Sequence, residues 1–258
     1  MSNTSKPAPL AGSNVSAFGF WAIAILTVFV SHSPGFSWIF APVNIFTTAI
    51  HELGHASVCL LTGGHVSGLT IVSDGAGHGG LTFCLGGNPF LYTQSGYLGA
   101  AFFGCLLIYL GQFPKFAKSL LTMMGLVMGF AALFLVSGSL LVPGHFLQGV
   151  GSLLWTGLMS VALTFAGVKL KPGLAHLVVL FLAVQTALNS LTAFGDLLSA
   201  SLGVDGYTGF SDASNMAMIT GIPAVIWSVF WAGTSILMVG FTLWSIYGKH
   251  IFASGKAK

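Results

Sequence analysis

The chain has no arginine, and only 5% of its 258 residues carry a charge. A soluble domain holds about a quarter charged residues, so water is not the main solvent of this fold. Eight lysines and five acids leave a net charge of +3, with no clustered basic face and no guanidinium fork. Nucleic acid is excluded as a partner, because that role needs both. Cysteine is also scarce. Cys59, Cys84 and Cys105 are odd in number, far apart and without a Cys-x-x-Cys pair. They read as small apolar core residues, with neither a zinc knuckle nor a disulfide framework indicated. No stretch is long and polar enough to form a separate soluble domain.

What the chain does have is apolar length: 55% hydrophobic residues and a mean hydropathy of +0.91. A spanning helix takes roughly 20 mainly apolar residues. Candidates fall at 17–31, 38–62, 92–111, 118–141, 147–168, 174–199 and 221–247. The first is short, and Pro143-Gly144 alone divides the fourth from the fifth. The expected fold is therefore an all-α polytopic membrane protein with about six to seven transmembrane helices, lying in the lipid bilayer of the inner or plasma membrane. Residues 1–16 read as a disordered tail, 17–248 as a single transmembrane domain and 249–258 as a polar C-terminal tail.

Two segments break the apolar pattern. Residues 63–91 hold β-prone runs at His65–Val72 and Gly80–Cys84 around an Asp-Gly turn and a glycine-rich bend. That pattern predicts a short β-hairpin. In the second segment, 200–220, Ser211-Asp212-Ala213-Ser214 reads as a helix N-cap. With seven spans, Lys115, Lys118, Lys169, Lys171, Lys249, Lys256 and Lys258 share one side of the membrane. Lys6, Asp74, Asp205 and Asp212 fall on the other. The lysine-rich side, with the C-terminus, is expected to face the cytoplasm.

The chain's one glutamate, Glu52, lies inside His51-Glu52-Leu53-Gly54-His55, within the second apolar segment. On a helix, residues four apart stand on the same face, so two imidazoles so placed can share one zinc ion. Glu52 is then placed to act as general base on water activated there. Asn44, Thr47, Thr48, His51, His55 and Thr62 form a polar stripe on an otherwise apolar helix. Ionisable groups at membrane depth are costly and usually functional. Polar contact between packed helices is the plainer alternative.

A catalytic zinc needs a third protein ligand. Among the acids, Asp74 and Asp205 read as solvated turn residues. Asp196, late in the sixth apolar segment, shares a helix face with Asn189 and is the first choice. Asp212 is the second, since a helix cap would already occupy it. Asn189 is a candidate donor to a substrate carbonyl or oxyanion. His32, His65, His78, His145, His176 and His250 are scattered at ends and turns and read as interfacial.

The stretch Ala49-Ile50-His51-Glu52-Leu53-Gly54-His55-Ala56, running on to Thr62-Gly63-Gly64-His65-Val66, resembles peptidase family M50, the site-2 protease class. It is most similar to the M50B-like branch of these intramembrane zinc metalloproteases. Ser95-Gly96-Tyr97-Leu98-Gly99-Ala100, Ser211-Asp212-Ala213 and Thr220-Gly221-Ile222-Pro223 also look like that branch. The resemblance implies a zinc metalloendopeptidase cutting peptide bonds in or near membrane segments of other proteins. By similarity His51 and His55 would bind zinc, Glu52 would activate water, and a late aspartate would complete the metal shell. The Asn…Pro…Leu-Asp-Gly signature of the better-studied members is missing, with Phe194-Gly195-Asp196-Leu197 in its place. The resemblance also implies that the connection after the motif helix faces the cytoplasm, opposite to the lysine count. Two other readings compete. One is a catalytically silent relative that binds membrane proteins, which would have no use for Glu52. The other is a transporter, for which the remaining helices hold few ionisable residues.

Overall fold

The computed structural model describes residues 26, 27, 30, 40–72, 79–202 and 211–254, and their side chains apart from 190–202 and 247–254. The N-terminal tail, most of the first candidate span, and Asp74, His78 and Asp205 lie outside the described residues.

The motif helix, α1 (Ala41–Leu61), opens with Pro42 in its first turn, where a missing N–H costs nothing. Two antiparallel strands follow, β1 (His65–Thr70) and β2 (Leu81–Leu85), paired from His65 opposite Leu85 to Thr70 opposite Leu81. A bulge between Val66 and Gly68 breaks the register. This is the expected hairpin. Helix α2 (Pro89–Leu110) is capped by Asn88, whose side chain accepts from the Leu91 N–H. Helix α3 (Ala117–Ala131) continues through a π turn (Ala132–Val136) and a 3-10 turn (Ser137–Leu141). Then come α4 (Phe146–Lys169), α5 (Pro172–Leu202), the short α6 (Asp212–Thr220) and α7 (Ala224–Ser254). The C-terminal segment expected to be a tail is thus helical as far as Ser254.

Five stretches among the described residues are long and apolar enough to cross a membrane: 89–110, 114–141, 146–169, 172–189 and 224–246. Helix α1 has the length, at 21 residues, but His51, Glu52, His55 and its threonines lower its hydropathy. Leu126, Leu133, Phe134, Leu154, Phe165 and Phe241 are mostly exposed. An apolar surface of that extent suits lipid and would be a liability in water. This is a multi-pass membrane protein.

Small residues set the helix spacing, as expected where packing, not the hydrophobic effect, draws helices together. A Cβ at Gly54 would collide with the Ser95 carbonyl on α2, and one at Gly104 would come within 2.9 Å of the Ala187 backbone on α5. Gly125 and Gly129 on α3 meet Thr164 and Ser160 on α4 in the same way. The Ser95 hydroxyl, between the Gly54 and Tyr92 carbonyls at 3.0 and 2.6 Å, ties the α1–α2 crossing together.

Hydrogen bonds across the bundle fix which ends share a side. Lys118, starting α3, donates to the Val168 carbonyl at the end of α4 (3.0 Å), and His176 on α5 donates to the Gly111 carbonyl after α2 (2.8 Å). At the other side, the Asn88 N–H reaches the Thr62 hydroxyl (3.0 Å) and the Ile71 N–H reaches Ser152 early in α4 (2.8 Å). The hairpin therefore sits opposite Lys115, Lys118, Lys169 and Lys171.

One reading of the sequence is corrected. Cys59 and Cys84 are not independent core residues but form a disulfide, joining the end of α1 to β2, while Cys105 is free and buried. The pair is 25 residues apart in the chain. The chain leaves α1 at Gly63, whose positive φ only glycine takes without strain, and the pairing of Val66 with Cys84 brings β2 back beside the end of that helix.

Candidate metal centre

His51 and His55 stand one turn apart on α1, with Nε2 atoms 3.0 Å from each other. The third partner comes from a distant part of the chain. Asp212 Oδ2 lies 3.1 Å from His51 Nε2 and 3.2 Å from His55 Nε2. Among the described residues this is the one group of three or more side chains that could hold a metal ion.

The arrangement fits zinc. His55 Nδ1–H donates to the Tyr92 carbonyl at 2.6 Å, which leaves Nε2 bare and aimed at the cluster. Such an outer hydrogen bond is the usual means of fixing a ligating imidazole. Three atoms with lone pairs then converge, which is repulsive unless a proton or a cation sits among them. Neighbouring ligand atoms in a tetrahedral zinc site, with bonds of about 2.0–2.1 Å, lie roughly 3.3 Å apart. The observed triangle of 3.0–3.2 Å is close to that. The ground beside it is cleared by Gly96 on α2, where a Cβ would collide with Nε2 of both histidines and lie 2.6 Å from His51 Cε1.

Asp212 reaches this place because α6 is docked there. Ser211 caps that helix by accepting from the Ser214 N–H, so the cap expected to occupy Asp212 is made by its neighbour. Ala213 and Met216 are buried against Trp231 of α7, with Tyr97 packed on the same cluster. Trp231 stacks on Tyr97 (5.3 Å), and Tyr97 meets the edge of His51 (4.6 Å). A continuous aromatic contact thus runs from α7 to the first histidine.

Glu52 is 5% exposed, and Oε2 accepts from the Thr82 hydroxyl of β2 at 2.7 Å. Of the polar stripe, Thr47 and His55 are buried, while Asn44 is exposed. Asn189 is half-buried on α5, a helix that packs against α1. Asp196 lies on α5, and its side chain is outside the described residues. His65 is exposed at the start of β1, and His145 packs against Phe83 (4.9 Å). Neither joins the cluster, which His176, bonded to Gly111, also leaves alone.

The model of the family described as Peptidase M50B-like matches residues 20–242. The chain belongs to that family. Its match takes in α1, the hairpin and α6, so every residue of the cluster lies inside it. No curated protein and no solved structure matches the chain. This M50B-like protein is accordingly of a peptidase family, embedded in a membrane and equipped with a His/Asp group that could hold the metal such peptidases use.

Proposed function

We propose that the protein is a zinc-dependent intramembrane endopeptidase that hydrolyses peptide bonds in or near membrane segments of protein substrates. The observation that carries this reading is the meeting of His51, His55 and Asp212 within 3.2 Å beside a buried Glu52. In the proposal the two imidazoles and the Asp212 carboxylate hold the ion. A zinc ion so bound supplies Lewis acidity toward a carbonyl oxygen and lowers the pKa of water.

The chain's own groups do the rest. Glu52 Oε1 takes a proton from the attacking water and later delivers one to the leaving amine. The Asn189 amide would donate to the oxygen of the scissile carbonyl, a role compatible with its place on α5. Burial of Glu52 and His55 excludes bulk water from the base. β2 has a strand partner on its β1 side alone among the described residues, and an unwound substrate could add along its outer edge.

The orientation is part of the proposal. Lys115, Lys118, Lys169 and Lys171 lie opposite the hairpin, and disulfides persist in oxidising compartments. Both support a hairpin, with the site at its end of the bundle, outside the cytoplasm of an inner or plasma membrane. That is opposite to what the family resemblance implies.

The test is cleavage of a membrane-tethered reporter by purified protein in liposomes. Activity is expected to vanish when the metal is stripped by a chelator and to return with stoichiometric zinc. A protein that binds the reporter but never cleaves it, with zinc loaded, would instead be a silent relative that captures membrane partners.

A further inference from the structure

We propose that Thr82 is the positioning residue for Glu52, and that β2 is anchored so as to hold its hydroxyl there. The inference rests on Glu52 being the base of the proposed peptidase.

A buried carboxylate must have its oxygens satisfied, or it will seek another rotamer or a proton. The Thr82 hydroxyl lies 2.7 Å from Glu52 Oε2 and 3.1 Å from Glu52's own backbone carbonyl. The hydroxyl's one hydrogen is shared between the carboxylate and this helix carbonyl, which cannot swing, so the mobile end of the side chain is referred to a fixed point of α1. The other carboxylate oxygen is treated differently. A Cβ at Gly80 would come 2.8 Å from Oε1, and 2.7 Å from the Thr70 carbonyl behind it. Glycine at that position leaves room beside Oε1, where a proton must come and go. The two oxygens are thus made unequal, one tied by a hydroxyl and one with a glycine beside it, by residues two apart on the same stretch of chain. Holding a general base close to its productive geometry is what a supporting hydrogen bond contributes.

The strand is built to keep that hydroxyl in place. Thr82 and Cys84 are two apart and so project from the same face of β2. Cys84 is bonded to Cys59, seven residues beyond Glu52 on α1. The same strand face therefore meets the same helix twice, once by a hydrogen bond to the base and once by a covalent bond two turns on. From the side, β2 is held by β1 through Leu69 opposite Thr82 and Val66 opposite Cys84, both buried.

The experiment compares Thr82→Val and Thr82→Ser with the parent full-length, zinc-loaded protein in liposomes, reading zinc content, kcat and KM on the tethered reporter. Valine keeps the β-branched shape and the strand preference but cannot donate. Expected for Thr82→Val is a fall in kcat of up to about 100-fold, the loss that a misplacement of the base by about 1 Å brings. KM and zinc content should stay unchanged, and Thr82→Ser should recover most of the rate. Where the valine variant does not assemble, Thr82→Ala is read in the same way. Equal loss in the valine and serine variants, or a change in KM without kcat, would overturn the proposal. Glu52→Gln separates the two levels. If it still cleaves, the base itself is misassigned; if it is inactive while Thr82→Val is fully active, only the role of Thr82 falls.

Discussion

Asp212→Ala is expected to lose the metal, with zinc falling from roughly one per chain to near zero at stoichiometric supply. Two imidazoles one turn apart leave half of a four-coordinate shell to solvent, whereas a third ligand would leave one position open, for water, and also neutralise part of the ion's charge. Asp212 is well suited to this because it has no other duty. Ser211 makes the helix cap, and Ala213 and Met216 carry the packing of α6 on Trp231. Removal of the carboxylate should therefore empty the site without undocking the helix. Asp196→Ala is expected to keep its zinc. Elemental analysis of both variants, purified in detergent, decides the matter. Zinc retained in Asp212→Ala and lost in Asp196→Ala would move the third ligand to α5.

Gly96→Ala should be nearly as damaging, although it removes no ligand. The added methyl would collide with the Nε2 atoms of both His51 and His55, filling the ground an ion must share. The neighbours have little freedom to retreat. His55 is held by the Tyr92 carbonyl, His51 lies under Tyr97, and Ser95 is bonded across to Gly54. Overpacking a close contact costs about 1–3 kcal/mol in stability, but the larger effect here is on the metal: zinc content and cleavage should fall together. Gly99→Ala, one helical turn on, is the control. Its Cβ would be 3.5 Å from the Gly54 Cα, an ordinary contact, and it should bind zinc and cleave as the parent does.

The parts of this site that are neighbours along the chain are legible in the sequence alone. His51 and His55 follow from helical periodicity, which puts residues four apart on one face. The hairpin follows from its β-prone runs and glycine turns, and the crossing helices from hydropathy. The proposed third ligand is less legible. In the sequence Asp212 ranks behind Asp196 because a cap motif accounts for it, and only the packing of Met216, Trp231 and Tyr97 brings it 161 residues back to His51. The same holds for Cys59 and Cys84, whose spacing matches no metal or redox motif. The turn at Gly63 and the pairing of β1 with β2 decide that they meet. Thr82 carries no signal of its own either, since a threonine in a strand is ordinary until its hydroxyl is found on the sole glutamate.

The central claim is that the cluster cleaves peptide bonds with Glu52 as its base, and Glu52→Gln tests it most directly. The variant keeps the shape and the hydrogen bond from Thr82 but cannot take a proton. Measured side by side with the parent in liposomes, it should hold roughly one zinc per chain and show no cleavage of the tethered reporter. Cleavage at the parent rate, with zinc bound, would contradict the account.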